Sequence, residues 1–220
     1  MSLKVFVFAR MLMRLLELFS GTGSVGNVAT NMGYEVTSLD RDMPATFKCD
    51  IMDWDYRMFP PKHFDVIWAS PPCTEYSQAL TTRPRDIDGA NMLVQRALDI
   101  IEYYEPKYFM MENPQTGLLK DQLQMWGIPF KDIDYCKYGM PYRKRTRIWN
   151  NVFRWQPRPL CNKACGNVIG NRHVATAQRM PQGKKNAWGD RPQFNQHDLY
   201  RVPEELVREL FECVVRSVRD

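Results

Sequence analysis

The sequence predicts an α/β fold, because short apolar runs typical of buried strands alternate with stretches of helical periodicity. A glycine-rich turn at 20–26 joins the first run to a helix predicted over 24–32. A second helix is predicted over 90–104, where apolar residues recur at spacings of three and four. Seven runs are predicted as strands: 15–19, 35–39, 46–49, 64–69, 108–111, 133–136 and 146–149.

Length and composition indicate one large domain, or a domain with a small appendage. The chain has 220 residues, of which 44% are hydrophobic and 12% aromatic, so it can bury a sizeable core. Lys and Arg outnumber Asp and Glu by 30 to 25, and basic residues cluster at 143–147 and again at 179–191. Such patches favour contact with a polyanion such as nucleic acid, although a solvated basic surface gives the same pattern.

The cysteines and the apolar runs indicate the cellular setting. The six cysteines, at positions 49, 73, 136, 161, 165 and 213, do not form the dense disulfide framework of a small secreted protein, so we expect reduced thiols in the cytoplasm. No run is long and apolar enough to span a bilayer, and no membrane partner is expected. Residues 1–13 hold a short apolar patch without a cleavage site and are interpreted as a leader or a vector-like start.

The first strand, turn and helix form a candidate nucleotide site. Gly21, Gly23 and Gly26 match the pattern G-x-G-x-x-G, and Asp40 closes the next strand. Glycines let the backbone approach a ligand, and such a carboxylate accepts hydrogen bonds from ribose hydroxyls. Nicotinamide cofactors and S-adenosylmethionine both fit, and a turn that only packs helix on strand is the alternative. Asp50, at the end of the third strand, is a candidate contact for adenine or a surface turn acid.

A candidate reactive cysteine follows the fourth strand. Cys73 stands directly after two prolines in the segment 70–77. Prolines fix φ and donate no amide hydrogen bond, so the chain leaves the sheet stiffly, at the strand end where α/β proteins bind ligands. A buried structural cysteine is the alternative. The polar residues 78–89 lack periodicity and are predicted as a mobile loop, a candidate lid.

Two further chemical features lie later in the chain. Glu112 follows the fifth strand and faces the same sheet edge as Cys73 if the two strands are parallel neighbours. Arg145 and Arg147, at a spacing of two, are predicted to share one face of a hairpin strand. A turn acid and a solvated basic edge are the respective alternatives. A packing helix is predicted between these features over 115–126.

Residues 156–196 contain many prolines and glycines and are interpreted as an irregular excursion from the core. Cys161, Cys165 and His173 hint at zinc, but a structural zinc site uses four ligands and only three occur locally, so no metal is predicted. An amphipathic helix is expected to dock back on the core. The predicted organisation is therefore a leader at 1–13, a catalytic core at 14–155, the excursion at 156–196 and a closing helix at 197–220.

Four motifs together resemble the C5-cytosine DNA methyltransferases. They occur in the family's order as ELFSGTG at 17–23, PCTEYS at 72–77, ENP at 112–114, and YGMP at 138–141 followed by the two arginines. The resemblance implies the Rossmann-like fold of S-adenosylmethionine-dependent methyltransferases, a mostly parallel seven-stranded sheet with one antiparallel hairpin. It also implies S-adenosylmethionine as cofactor and DNA as substrate, in a compact member with a reduced target-recognition region.

The resemblance further implies roles for individual residues. Cys73 would add to C6 of cytosine, Glu112 would protonate or hydrogen-bond N3, and Arg145, with Arg147 beside it, would hold O2. The target base must leave the duplex, because stacking hides C6 from a thiol. The residues expected to bind the cofactor are Phe19, Gly21, Gly23, Asp40, Asp50, Ile51 and Pro72.

Three features depart from the family pattern. Pro114 follows Glu112 and Asn113, where valine is commoner in the family. Tyr142 or Arg143 stands where the arginine motif usually has Gln, and the spacing from Pro141 to Arg145 is one residue longer than usual. The region after Trp149 is short for a target-recognition domain. Sequence selection would then involve the excursion, a partner protein or an oligomer.

Other functions stay open at this point. RNA, including tRNA, is an alternative substrate because its loops expose single-stranded bases. A catalytically silent nucleic-acid-binding protein is another alternative. An amino-methyltransferase would carry an aromatic residue in place of Cys73, and an NAD-linked oxidoreductase would leave Cys73, Glu112 and Arg145 without roles.

Overall fold

The computed structural model describes residues 12–177, 194 and 196–219. Most of the predicted leader and the basic cluster at 179–191 lie outside these residues. The main sheet contains β1 (Arg14–Leu18), β2 (Glu35–Asp40), β3 (Phe47–Lys48), β4 (Val66–Ala69), β5 (Tyr108–Pro114), β6 (Phe130–Asp134) and β7 (Arg145–Asn150).

The strand order is β3-β2-β1-β4-β5-β7-β6. Neighbouring strands are parallel except at β7, which runs antiparallel to both β5 and β6. The predicted α/β fold, a mostly parallel seven-stranded sheet with one antiparallel hairpin, is therefore confirmed. A separate small hairpin pairs β8 (Val168–Ile169) with β9 (Arg172–His173).

The centre of the sheet is apolar because it is covered on both faces, as is usual for parallel strands. All four residues of β4 are buried, and so are the last four of β1. Side chains alternate between the two faces, so Leu15 packs in one core cluster while its neighbour Leu16 packs in the other.

Helices cover the two faces of the sheet. α1 (Ser24–Asn31) and α4 (Glu204–Arg219) contribute buried side chains to one core cluster, and α2 (Ile87–Tyr104) contributes to the other. α2 begins after Asp86, whose side chain accepts a hydrogen bond from the N–H of Gly89 and so caps the helix. A short α3 (Gln196–Tyr200) precedes α4. Within the described residues, no helix has both the length and the apolar character needed to cross a bilayer.

The structure contradicts the helix predicted over 115–126. Only two short 3-10 turns form there, Leu118–Asp121 and Leu123–Met125. The N–H of Leu118 donates to the carbonyl of Tyr76, 2.9 Å away, instead of to a residue one helical turn earlier. This long-range bond fastens the segment to the loop after β4 and prevents an α-helical ladder from starting.

The closing helix supports the core through Phe211. Its fully buried ring lies 5.0 Å from the ring of Tyr34 and 6.4 Å from that of Trp68, centroid to centroid. We expect Phe211→Ala to lower the free energy of unfolding by about 3–5 kcal/mol, because it removes packed apolar surface and leaves a cavity. Urea denaturation followed by circular dichroism measures this.

Phe153 provides the matched control, since its side chain is 73% exposed. Phe153→Ala should change the free energy of unfolding by no more than about 0.5 kcal/mol. Equal destabilisation by the two substitutions would contradict the packing of α4 on the sheet.

Candidate functional site

A cavity of about 520 Å³ lies at the carboxyl ends of the parallel strands. Its size is in the range of small-molecule sites, and its position is the usual ligand crevice of an open α/β sheet. Most of the residues singled out from the sequence line it: Phe19, Gly21, Asp40, Asp50, Ile51, Pro72, Cys73 and Glu112. Gly23, Arg145 and Arg147 do not line it.

The glycine loop after β1 forms one wall of the cavity. Gly21 and Gly23 have φ values of 51° and 67°, in the left-handed region that favours glycine. The N–H of Gly21 donates to Oδ2 of Asp40 over 2.7 Å, which joins the loop to the end of β2. Gly23 immediately precedes α1 and shapes the turn without contacting the cavity.

Glu17 is a cavity residue that the sequence prediction missed. The N–H of Gly26 donates to its Oε2 over 3.0 Å, and a Cβ at Gly26 would lie only 2.5 Å from that oxygen. Burial raises the pKa of Glu17 to about 7, although backbone N–H groups of Gly26 and Val25 oppose the shift. The carboxyl is therefore partly protonated near neutral pH. The sequence contained a sign of this role, because Glu17 is the single acidic residue inside the apolar run 15–19.

Two hydroxyl groups in the cavity wall have no protein partner. Within the part of the chain that the structure describes, Ser20 Oγ and Thr22 Oγ1 are buried and make no hydrogen bond. Both residues line the cavity. Because buried hydroxyls are normally satisfied, these two groups suit a polar ligand held against the glycine loop.

Cys73 lies in the loop that follows β4. Asn113 holds this loop by donating from Nδ2 to the carbonyl of Pro71 over 2.9 Å. Burial raises the pKa of the Cys73 thiol, the positive charge of Lys144 opposes that shift, and the negative charge of Glu112 adds to it. The thiol therefore lies within electrostatic reach of both charged residues.

Glu112 is buried and is held by two donors. Tyr135 donates its hydroxyl to Glu112 Oε1 over 2.7 Å, and Lys144 Nζ lies 3.3 Å from the same oxygen. Burial, followed by the charge of Glu112, raises the pKa of Tyr135 well above its ordinary value, so its hydroxyl remains a proton donor. Lys144 is only 7% exposed and lines the cavity, so it is a site residue that the sequence prediction missed.

The structure corrects the expectation that Arg145 and Arg147 enter the site. Side chains alternate along β7, and Glu112 lies opposite Ile148, so the even-numbered positions share the face of Glu112. Arg145 and Arg147 are on the other face. There each makes a bidentate ion pair with β6: Arg145 with Asp134 and Arg147 with Asp132.

Lys144 occupies the site in place of the two arginines. The signal was present in the sequence, since Arg145 lies one residue farther from Pro141 than the family spacing. A shift of one position moves every side chain of a strand to the opposite face, and it brings Lys144 and Thr146 to the side of Glu112.

The three candidate metal ligands lie elsewhere. Cys161, Cys165 and His173 come together with Cys136, and all four ligand atoms lie within 4.8 Å of one another. None of the four residues lines the cavity. Cys136 was not counted among the ligands from the sequence, because it is separated from the other three by β7.

Lys144 and Cys73 line the same cavity, and the positive charge of Lys144 favours the Cys73 thiolate. We expect iodoacetamide to alkylate Cys73 slowly at neutral pH and faster as the pH rises toward the raised pKa, because only the thiolate reacts. Lys144→Met should slow alkylation about three- to tenfold at pH 8, since it removes the charge that stabilises the thiolate. Mass spectrometry of the Cys73 peptide measures the rate.

Arg145→Met is the control, because Arg145 points to the opposite face of β7. Its Cys73 peptide should react at the parent rate. Equal slowing in the two variants, or none in Lys144→Met, would contradict the placement of Lys144 beside the thiol.

Comparison with known proteins gives consistent matches. A family model described as C-5 cytosine-specific DNA methylase matches residues 13–143. A curated protein of Frog virus 3 (isolate Goorha), named "Probable DNA (cytosine-5)-methyltransferase", is 33% identical over 222 residues, covering 91% of this chain and 99% of that protein.

Two solved structures share the fold. The Entamoeba histolytica methyltransferase EhMeth superposes with a TM-score of 0.51 at 17% identity, over 74% of this chain and 62% of that one. An Escherichia coli prophage-encoded protein, titled "putative DNA modification methyltransferase", superposes with a TM-score of 0.50 at 16% identity, over 68% of this chain and 52% of that one. This chain thus spans about half to three fifths of the two crystallised chains.

Proposed function

Because the chain belongs to the C-5 cytosine-specific DNA methylase family, we propose that it transfers the methyl group of S-adenosylmethionine to C5 of cytosine in DNA. The observation that carries this proposal is the convergence of Cys73, Glu112 and Lys144 on one cavity that also contains the glycine loop. A thiol can add to C6 of cytosine, a carboxyl can hydrogen-bond N3, and a cation can contact O2.

The residues of the cavity fit S-adenosylmethionine. The unpaired hydroxyls of Ser20 and Thr22 offer hydrogen bonds to a polar ligand at the glycine loop. Carboxylates at the ends of β2 and β3 suit ribose hydroxyls and the adenine amino group. The residues that would hold the cofactor are Phe19, Gly21, Asp40, Asp50, Ile51 and Pro72, with Gly23 shaping the loop. S-adenosylmethionine supplies an electrophilic methyl group.

The nucleophilic step belongs to Cys73. Cytosine C5 is a weak nucleophile, so the Cys73 thiolate first forms an Sγ–C6 bond, and the electron pair of the C5=C6 bond moves toward C5. That pair would then form the bond to the methyl group as the methyl–sulfur bond of S-adenosylmethionine breaks and S-adenosylhomocysteine leaves. A water molecule would accept the C5 proton, and the electron pair of that C–H bond would restore the C5=C6 double bond as the Sγ–C6 bond breaks and frees the Cys73 thiolate. Lys144 favours this chemistry because its charge stabilises the attacking thiolate.

Glu112 and Lys144 would also bind the base. Addition of the thiolate pushes electron density into the cytosine ring. A hydrogen bond or a proton at N3 stabilises that density, and we propose this role for Glu112. Tyr135 and Lys144 fix the carboxyl for that contact. We assign to Lys144 the cationic contact with O2 that the resemblance had given to Arg145.

The comparisons favour DNA over the alternatives. Both the family description and the name of the viral relative refer to DNA. A silent binding protein would give no reason for Cys73 to share one cavity with a buried carboxyl and a buried ammonium group. Selection of the target sequence by residues 156–196, by a partner protein or by an oligomer stays a prediction.

Methyl transfer tests the proposal. The parent should transfer label from S-adenosylmethionine to DNA as 5-methylcytosine, measured by base analysis after digestion. Cys73→Ala should lose transfer to background while it still binds the cofactor, because only the covalent step is removed.

Cys49→Ala is the control, since Cys49 is half-buried but lies outside the cavity. It should keep the parent rate. Full activity of Cys73→Ala, or label on an exocyclic nitrogen, would refute the C5 assignment. A parallel pool of RNA distinguishes the substrates, and label confined to RNA would refute DNA as the substrate.

A further inference from the structure

A second cluster of reactive side chains lies outside the cavity. Cys136 belongs to the 3-10 turn Tyr135–Lys137 that directly follows β6. Cys161 and Cys165 lie in the loop that follows the sheet, and His173 lies in β9. The three sulfurs and the histidine nitrogen lie within 4.8 Å of one another although the residues span 37 positions of the chain.

We infer that Cys136, Cys161, Cys165 and His173 bind one zinc ion. His173 Nε2 lies 3.3 Å from Cys161 Sγ and 3.7 Å from Cys136 Sγ. In a tetrahedral site, Zn–S bonds of about 2.3 Å and Zn–N bonds of about 2.0–2.1 Å separate N from S by about 3.5 Å and S from S by about 3.8 Å. The cluster therefore has nearly the dimensions of a zinc coordination sphere.

The backbone around Cys161 is arranged to serve a thiolate ligand. The N–H of Lys163 donates to Cys161 Sγ over 3.3 Å, and the N–H of Cys161 donates to Asp134 Oδ2 over 2.9 Å. Lys163 and Gly166 have φ values of 76° and 80°, so the chain turns back tightly on both sides of Cys165. Contacts of this kind orient metal ligands before the metal binds.

The set of ligands determines the metal and its role. Three thiolates and one imidazole favour zinc, which prefers tetrahedral sulfur and nitrogen coordination. Four protein ligands leave no position for water or substrate, so the zinc is structural and does not take part in methyl transfer.

The zinc would attach the excursion to the edge of the sheet beside the active site. Asp134, at the end of β6, already joins Arg143, Arg145 and the backbone of Cys161. The N–H of Arg143 donates to the carbonyl of Ala175, and Arg143 directly precedes Lys144. Residues 161–177 are therefore attached to the segment that directly precedes β7 and contains Lys144.

The test measures metal in the full chain, purified without an affinity histidine tag and without chelators. Elemental analysis should give about one zinc per chain. Cys165→Ser should lose the zinc, while Cys213→Ser should keep it, because Cys213 is a half-buried cysteine on α4 outside the cluster. Retention of zinc by Cys165→Ser would refute the site.

A second measurement uses the parent protein, so it still tests the site if Cys165→Ser fails to fold. Cobalt(II) added to the chelator-treated parent should produce the visible absorption of tetrahedral cobalt–thiolate coordination, and titration with zinc should abolish it. A parent that binds neither metal, or a disulfide between two of the three cluster cysteines in non-reduced mass spectra, would overturn the inference. Neither readout depends on methyl transfer, so the zinc site and the proposed activity are tested separately.

Discussion

The buried ion pair between Glu112 and Lys144 is the contact on which the proposed site depends. Two opposite charges removed from water require each other, because leaving either one alone in the interior costs about 3–5 kcal/mol. Glu112 also accepts a hydrogen bond from the hydroxyl of Tyr135. Since an apolar pair of similar volume would satisfy the fold equally well, we attribute these charged groups to the chemistry of the site.

The topology of the sheet explains how this pair meets the thiol and the glycine loop. Parallel strands deliver their carboxyl ends to one edge, so the loops after β1, β2 and β4 enclose the cavity. β7 runs in the opposite direction and brings residues from its start to that same edge. Lys144 stands immediately before β7, and this position places its ammonium group beside Glu112.

Much of the fold followed from local patterns in the sequence. The central strands β1 and β4 are mostly apolar runs, and the glycine loop with its acidic strand ends is a short-range motif. Cys73 follows β4 and Glu112 lies near the end of β5, and these two strands are parallel neighbours, so the approach of the two side chains could be inferred from strand order. The strands and the glycine loop depend on residues that are near one another in the chain.

The missed features depend on contacts that a local pattern does not contain. A one-residue offset in the alignment with the family decided whether Lys144 or Arg145 was expected to face the cavity. Successive side chains along a strand point to opposite faces of the sheet, so such an offset reverses the face of each residue. The segment 115–126 fails to form a helix because the backbone N–H of Leu118 donates to the carbonyl of Tyr76. Cys136 joins the other ligands only after β6 and the excursion pack together.

Trapping of a covalent adduct tests most directly whether Cys73 attacks C6 of a cytosine beside Glu112 and Lys144. DNA that contains 5-fluorocytosine should trap the enzyme in the presence of S-adenosylmethionine, because fluorine at C5 cannot leave as a proton does and the Sγ–C6 bond then persists. We expect a denaturation-resistant complex whose DNA is attached to the Cys73 peptide. Attachment at another residue, or an adduct that still forms with Cys73→Ala, would contradict it.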